Sequence, residues 1–243
     1  MAATEQRDIV LVHTSDLHLG THGERDGLDV LRLVIAAARH AAADVLLLDG
    51  DIFDTNRVPL SVLDRVARAL ADAPLSIVVL PGNHDPATAD SAYRRGGLAD
   101  PPNVHVLGVT CEDRAVIPGL DLEVCGTPHM DYVDMSPLLA PPPRVARHQV
   151  VMAHGHFVRS DYDLHRSWLV HERDIDATAA DYVALGHWEV AQRVGSGAVE
   201  AHYSGSPHRA GTVNVVSLDG KAPVVSRLSV RREDVERRER EAS

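Results

Sequence analysis

Cysteine is nearly absent: Cys111 and Cys125 are the only two in 243 residues. Two thiols cannot build a disulfide framework, and they read most simply as small buried apolar residues. Lysine is scarcer still, with Lys221 alone among 24 basic residues. That bias is one of composition rather than function. No apolar run approaches the roughly 18 residues that a membrane-spanning helix needs. The first eight residues, Met1 to Asp8, show no basic cluster followed by a long apolar stretch. No secretory leader is therefore expected, and a cytoplasmic protein is the expectation. Positive charge is in deficit overall, with 35 acidic residues against 24 basic and a formal net charge of −11. Such a chain repels a phosphate backbone at long range, which disfavours non-specific duplex binding through a broad basic face.

What is present is ordinary for a globular protein: 44% hydrophobic and 24% charged residues. No repeat or low-complexity linker divides the chain. One domain is expected over residues 9–230, with an N-terminal tail at 1–8 and a charged tail at 231–243 that reads as a solvated end in preference to a salt-bridged helix. Ile9–Val12, Val45–Leu48 and Ile77–Leu80 read as buried strands. Helical spacing predicts helices over about 26–43 and from Leu60 to Leu70, the second stopped by Pro74. This alternation implies parallel strands joined by helical crossovers. The second half offers strands at Val104–Val109, Leu122–Cys125, Gln149–Ala153, Tyr182–Leu185, Val199–Tyr203, Val213–Val216 and Val224–Val230. A helix about Ile175–Ala180 precedes the Tyr182 strand. A second sheet packed on the first is expected.

The chemistry-bearing residues follow the strands. Asp16 and His18 come after the first, Asp51 and Asp54 after the second, and Asn83, His84 and Asp85 after the third. His154 and His156 end the Gln149 strand, and His187 and Glu189 end the Tyr182 strand. In open α/β sheets functional loops collect at the carboxyl ends of strands. Asp16 and His18, two apart, face one side of an extended segment, and Asp51 has two oxygens with which to bridge two ions. Carboxylate, imidazole and amide donors without thiolate suit Mn²⁺, Fe or Zn²⁺ and argue against a structural zinc. His156 reads equally as a pocket or a loop residue, and His208 could approach the same pocket. Five of the nine aromatics fall between Phe157 and Trp188. They either rim a pocket that stacks on a planar substrate or pack the adjacent helix.

The runs Asp16-Leu17-His18, Gly50-Asp51-Ile52-Phe53-Asp54, Gly82-Asn83-His84-Asp85, His154 and Gly186-His187 together resemble the calcineurin-like metallophosphoesterases. Residues 13–20, 50–55 and 203–207 most resemble the DNA-repair exonuclease branch of that family, the SbcD-type nuclease subunits. The resemblance implies a four-layer αββα sandwich: two packed mixed β-sheets flanked by helices. It implies two divalent ions, Mn²⁺ first among the candidates. Asp16, His18 and Asp51 would hold one, with Asp51 bridging, and Asn83, His154 and His187 would complete the other. His84 would protonate or stabilise the leaving oxygen, Asp85 would orient His84, and Asp54 would stand behind the ligands. Glu189 stands where the family usually has a histidine, and reads either as a ligand to the first ion or as a surface carboxylate. Trp188 is a candidate substrate contact. The expected activity is hydrolysis of a phosphodiester, a nucleotide or a single-stranded nucleic-acid end, by a metal-activated water. A phosphomonoesterase, including a protein phosphatase, and a non-catalytic binding module are the alternatives. Full exonuclease subunits continue into a DNA-capping region and helices that dock an ATPase. The resemblance does not extend to them, so that partnership is not expected.

Overall fold

A computed structural model of the chain describes residues 8–20, 28–219 and 221–242. The N-terminal tail other than Asp8, and residues 26 and 27 of the first expected helix, lie outside the described residues.

The first half is built as β1 (Ile9–Thr14), α1 (Leu28–His40), β2 (Val45–Asp49), α2 (Leu60–Ala71), β3 (Ser76–Leu80), α3 (Ala92–Arg95) and β4 (Val104–Val106). Strands β1 to β4 lie parallel in sequence order. Their runs are apolar throughout because both faces are covered. Val12, Leu46, Leu48, Ile77 and Val79 turn outward under α1 and α2. Leu11, Val45, Leu47, Val78 and Leu80 turn inward onto a second sheet. The period of two divides each strand between two cores. On α1, Leu28, Leu31, Val34, Ile35 and Ala38 form the buried stripe, and on α2 Val62, Leu63, Val66, Ala67 and Leu70 do so. β4 stops at Val106, short of the expected Val109, because the Thr110 hydroxyl turns back to accept from the Val106 N–H at 2.8 Å.

The second half adds β5 (Arg114–Ile117), β6 (Leu122–Gly126), β7 (His148–His154), β8 (His156–Phe157), β9 (Leu169–Val170), α4 (Glu172–Thr178) and β10 (Tyr182–Gly186). It closes with β11 (Gln192–Val194), β12 (Glu200–Tyr203), α5 (Pro207–Ala210), β13 (Thr212–Leu218), β14 (Val224–Ser229) and α6 (Arg232–Glu241). One six-stranded sheet has the order β14-β13-β1-β2-β3-β4, and the other β11-β12-β10-β7-β6-β5. β13 runs antiparallel to β1, and β5 and β11 are antiparallel edges of the second sheet, so both sheets are mixed. This is the expected pair of packed sheets flanked by helices. Among the described residues no helix is long and apolar enough to cross a membrane.

The segment expected as a solvated tail forms α6 instead. Val235 is buried, and Arg232 reaches Asp29 of α1 at 2.9 Å. Its acids, Glu233 and Asp234, occupy the first turn and Arg238 and Arg240 the last, the arrangement that a helix dipole favours.

Between the sheets, His13 is fully buried, with Nδ1 3.0 Å from the Tyr182 hydroxyl and Nε2 3.7 Å from Asp49. Burial, helped by the His202 and Arg227 charges, holds its pKa down at about 3. Burial also pushes the Asp49 carboxyl well above the usual range. Below its ordinary pKa of 6.5 the unfolded chain protonates His13 and the folded chain does not. Stability from this residue therefore falls as pH drops from 6.5 towards 3. At a pH about two units below the unfolded value the loss is on the order of 2 kcal/mol. Urea unfolding of wild type and His13→Gln at neutral pH and near pH 4.5 checks this. The variant should lose less stability on acidification, and equal losses would contradict the assignment.

Candidate metal centre

The parallel strands β1, β2, β3, β7 and β10 end at one edge of the sandwich, and their following residues converge there. Asp16 and His18 leave β1, Asp51 leaves β2, and Asn83 and His84 leave β3. His154 is the last residue of β7, and His187 directly follows β10. The pairing of β1 with β2 continues past the strands, with Asp16 N–H on Gly50 O at 3.1 Å and His18 N–H on Asp51 O at 3.0 Å.

The spacing predicts an extended segment at Asp16 and His18, and the structure corrects this. Asp16 (φ 54°), His18 (46°), Asp51 (52°) and His187 (95°) all lie in the left-handed region. Each such residue carries strain on the order of 1–3 kcal/mol, and strain of this kind collects at functional sites. These turns aim four polar side chains at one space.

Two groups of donor atoms result among the described residues. One donor atom from each of His18, Asp51 and His84 lies within 4.8 Å of the others, and the same holds for Asp51, His154 and His187. Asp51 belongs to both. Its Oδ2 is 3.2 Å from His154 Nε2 and 4.0 Å from His84 Nε2. Its Oδ1 accepts from the His84 backbone N–H at 2.9 Å. Asp16 Oδ2 accepts from the His187 backbone N–H at 3.0 Å, and Asp16 Oδ1 lies 4.0 Å from His18 Nε2. Asn83 Oδ1 accepts from His187 Nδ1 at 3.2 Å.

The electrostatics suit a cation. Burial opposes charge on His154, but Asp51 and then Asp16 outweigh it and raise its pKa to about 10. Burial likewise opposes charge on Asp51, and the His154 charge overrides it, holding the carboxyl well below the usual range. His187 is neutral, its pKa lowered to about 3 by burial and then by the His154 charge. A neutral imidazole is the form that binds metal. His154 Nδ1 donates to Asp49 O at 2.9 Å, which leaves Nε2 turned inward, buried and facing Asp51 Oδ2 at 3.2 Å. Two buried carboxylates, imidazoles and an amide oxygen around a buried inward nitrogen fit divalent ions.

Glycine is required where backbone must pass behind the candidate ligands. A Cβ on Gly82 would stand 2.2 Å from Asp51 Oδ1 and 2.4 Å from Asp51 N. On Gly186 it would stand 1.9 Å from Asp49 O and 2.6 Å from His154 Nδ1. Both obstacles include backbone. Gly186→Ala should lower the melting temperature by on the order of 5–10 °C and weaken metal binding. Thermal unfolding and metal content measure the two. A variant with wild-type values would show that the strand ends separate easily.

Other expected residues sit elsewhere. Asp85 does not orient the His84 ring. Its fully buried carboxylate accepts from Phe53 N–H at 2.9 Å, Gly82 N–H at 2.8 Å and the Tyr93 hydroxyl at 2.6 Å, binding three segments beneath the site. The His84 ring turns outward, 46% exposed, and stands beside Asp54. Its Nδ1 donates to Asp54 O at 3.1 Å, and Asp54 Oδ1 lies 3.9 Å from that nitrogen and 3.3 Å from His18 Nδ1. The Glu189 carboxylate pairs with Arg209 of α5, 41% exposed and outside both donor groups. His156 lies in the wall, 3.3 Å from Asp163 and accepting from Trp188 Nε1 at 3.1 Å. Trp188 stacks on Tyr203 at 4.4 Å, and Arg159 covers its ring at 4.8 Å, so it is occupied as packing. His208 is exposed on α5, outside both donor groups. Two contributors carried no sequence signal of their own. The carbonyl of Asp49 fixes His154, and the buried His129 donates from Nε2 to His154 O at 2.8 Å.

The sequence matches the calcineurin-like phosphoesterase family over residues 9–191, and the chain belongs to that family. No curated protein matches it. One solved structure shares 15% identity over 92% of this chain and all of its own length, with a TM-score of 0.60, a likeness of fold. Another is a conserved uncharacterized protein of Streptococcus pneumoniae described as a predicted phosphoesterase. It also shares 15% identity, over 92% of this chain and 91% of its own, with a TM-score of 0.44.

Proposed function

From membership of the calcineurin-like phosphoesterases, we propose that this chain hydrolyses phosphodiesters with two divalent ions, Mn²⁺ first among Mn²⁺, Fe and Zn²⁺. The observation that carries the reading is that Asp51 lies within reach of a His18 nitrogen on one side and of His154 and His187 nitrogens on the other. By the family resemblance, Asp16, His18 and Asp51 would hold one ion, and Asp51, Asn83, His154 and His187 would hold the other. Such a pair supplies a nucleophilic water at neutral pH and polarises the phosphoryl oxygens. The chain's own residues do the rest. His84, half exposed at the mouth, donates a proton to the leaving oxygen, and Asp54 beside it fixes the ring. Asp85 and Tyr93 hold the loop that carries His84.

The preference for a diester on a nucleotide or a single strand rests on the likeness of residues 13–20, 50–55 and 203–207 to the exonuclease branch. A net charge of −11 fits a small or single-stranded substrate better than a duplex. Turnover of bis-p-nitrophenyl phosphate beside p-nitrophenyl phosphate with Mn²⁺ tests it, followed by cyclic nucleotides, dinucleotides and single-stranded DNA. Diester hydrolysis should exceed monoester hydrolysis. Turnover of the monoester alone overturns the preference, and fewer than about one ion per chain favours a binding module.

Glu189 is exposed and tied to Arg209. Glu189→Gln should leave metal content unchanged and shift stability by less than about 1 kcal/mol. A drop in bound metal would return Glu189 to the ligand set.

A further inference from the structure

A metal-binding histidine is normally oriented by a hydrogen bond from its other ring nitrogen. His154 has such a bond, to Asp49 O. Among the described residues, His187 has no independent one. Its ring hydrogen bond goes to Asn83 Oδ1, an atom offered to the same ion. Aromatic edges surround His187 instead. Trp168 meets its ring at a centroid distance of 5.9 Å and an angle of 75°.

Trp168 is held there at a cost. Its φ is +54°, the left-handed region that a bulky residue rarely adopts. Three hydrogen bonds enforce that conformation. The Trp168 N–H donates to Asp134 Oδ1 at 2.7 Å, its indole N–H to Val133 O at 3.4 Å, and the His156 N–H to Trp168 O at 2.7 Å. The short β8–β9 pairing then returns the loop to the wall of the site. A Cβ on Gly155 would stand 2.3 Å from Trp168 O, so glycine is needed there for the close approach. The same indole meets His129 at 5.5 Å and 72°, and His129 grips the His154 backbone. One strained tryptophan therefore touches the ring of one ligand and the support of the other.

We propose that Trp168 is a positioning residue that sets the His187 ring by an edge-to-face contact, in place of the usual hydrogen bond. The inference rests on the dinuclear reading for the role of His187. Apart from solvent cover, the contact's effect is to keep the imidazole from rotating away when the ion leaves.

Calorimetric titration of the chelator-stripped full chain with Mn²⁺ tests this for wild type, Trp168→Phe and Trp168→Ala. Trp168→Ala should weaken one ion by roughly 10–100-fold, the range for groups that orient metal ligands, and leave the other unchanged. Trp168→Phe should remain close to wild type, since a phenyl edge preserves the contact. Wild-type affinity in Trp168→Ala overturns the proposal. Equal losses in both variants overturn it too, because they would assign the effect to the indole N–H bond with Val133. If Trp168→Ala does not fold, a Trp188→Phe chain leaves Trp168 as its only tryptophan. Its emission should then be quenched as Mn²⁺ fills the site, and an unchanged emission under bound Mn²⁺ overturns the proposal. Wild-type stoichiometry judges the dinuclear reading separately. A wild type that binds one ion defeats that reading, while the affinity of Trp168→Ala for that ion still judges the brace.

Discussion

Asp51→Asn should reduce bound Mn²⁺ to less than one ion per chain and lower turnover by at least about 10³-fold. The expectation follows from the place of one carboxylate in two donor groups. Asparagine keeps the volume but offers one neutral oxygen where two charged ones stood. The change also strips His154 of the partner that raises its pKa to about 10. That leaves a fully buried imidazole with Asp16 as its remaining acidic partner, so the variant should be less stable without metal, by up to about 3–5 kcal/mol. Metal analysis after dialysis and the rate on bis-p-nitrophenyl phosphate read the two effects. Retention of both ions by Asp51→Asn would show that the two groups do not share this residue, and the dinuclear reading would fail with it.

Much of the scaffold was legible because its signals are local. Runs such as Val45–Leu48 are apolar at every position, which demands cover on both faces, and the stripes of α1 and α2 supply one cover. The Asp, His and Asn residues after those strands were legible for a related reason: parallel strands end at one edge, so order in sequence becomes proximity in space. What was not legible depends on contacts distant in sequence. Asp85 looks like a partner for its neighbour His84, but burial sends its carboxylate to Phe53, Gly82 and Tyr93. Asp54 takes the place beside the ring because its loop runs past His84 from β2. Glu189 follows His187 at the right spacing, and only the fold shows Arg209 claiming it. Trp188 and Trp168 are alike in sequence. One is closed over by Tyr203 and Arg159, and the other faces His187. The charges of α6 read as a solvated tail because one buried residue, Val235, is too little apolar signal to announce a packed helix.

His84→Ala should lower turnover by about 10²–10⁴-fold, the range for a lost general acid, with bound metal near the wild-type level. The backbone makes these two effects separable. His84 touches Asp51 most closely through its N–H, 2.9 Å from Oδ1, and alanine at 84 keeps that donor. The ring's own approach to Asp51 is longer, 4.0 Å from Nε2 to Oδ2, and nearly half of it faces solvent. Removing the ring therefore leaves Asp51 oriented while it removes a proton donor from the mouth of the site. The loss should depend on the leaving group. With an alkoxide, which needs a proton as the P–O bond breaks, the full effect appears. With p-nitrophenolate, stable without one, it shrinks. Rates for a nitrophenyl and an alkyl diester in both proteins measure the ratio. An equal loss on both substrates would deny His84 the acid role. A parallel loss of metal would instead make its ring a ligand beside His18, the other arrangement that the donor spacing permits.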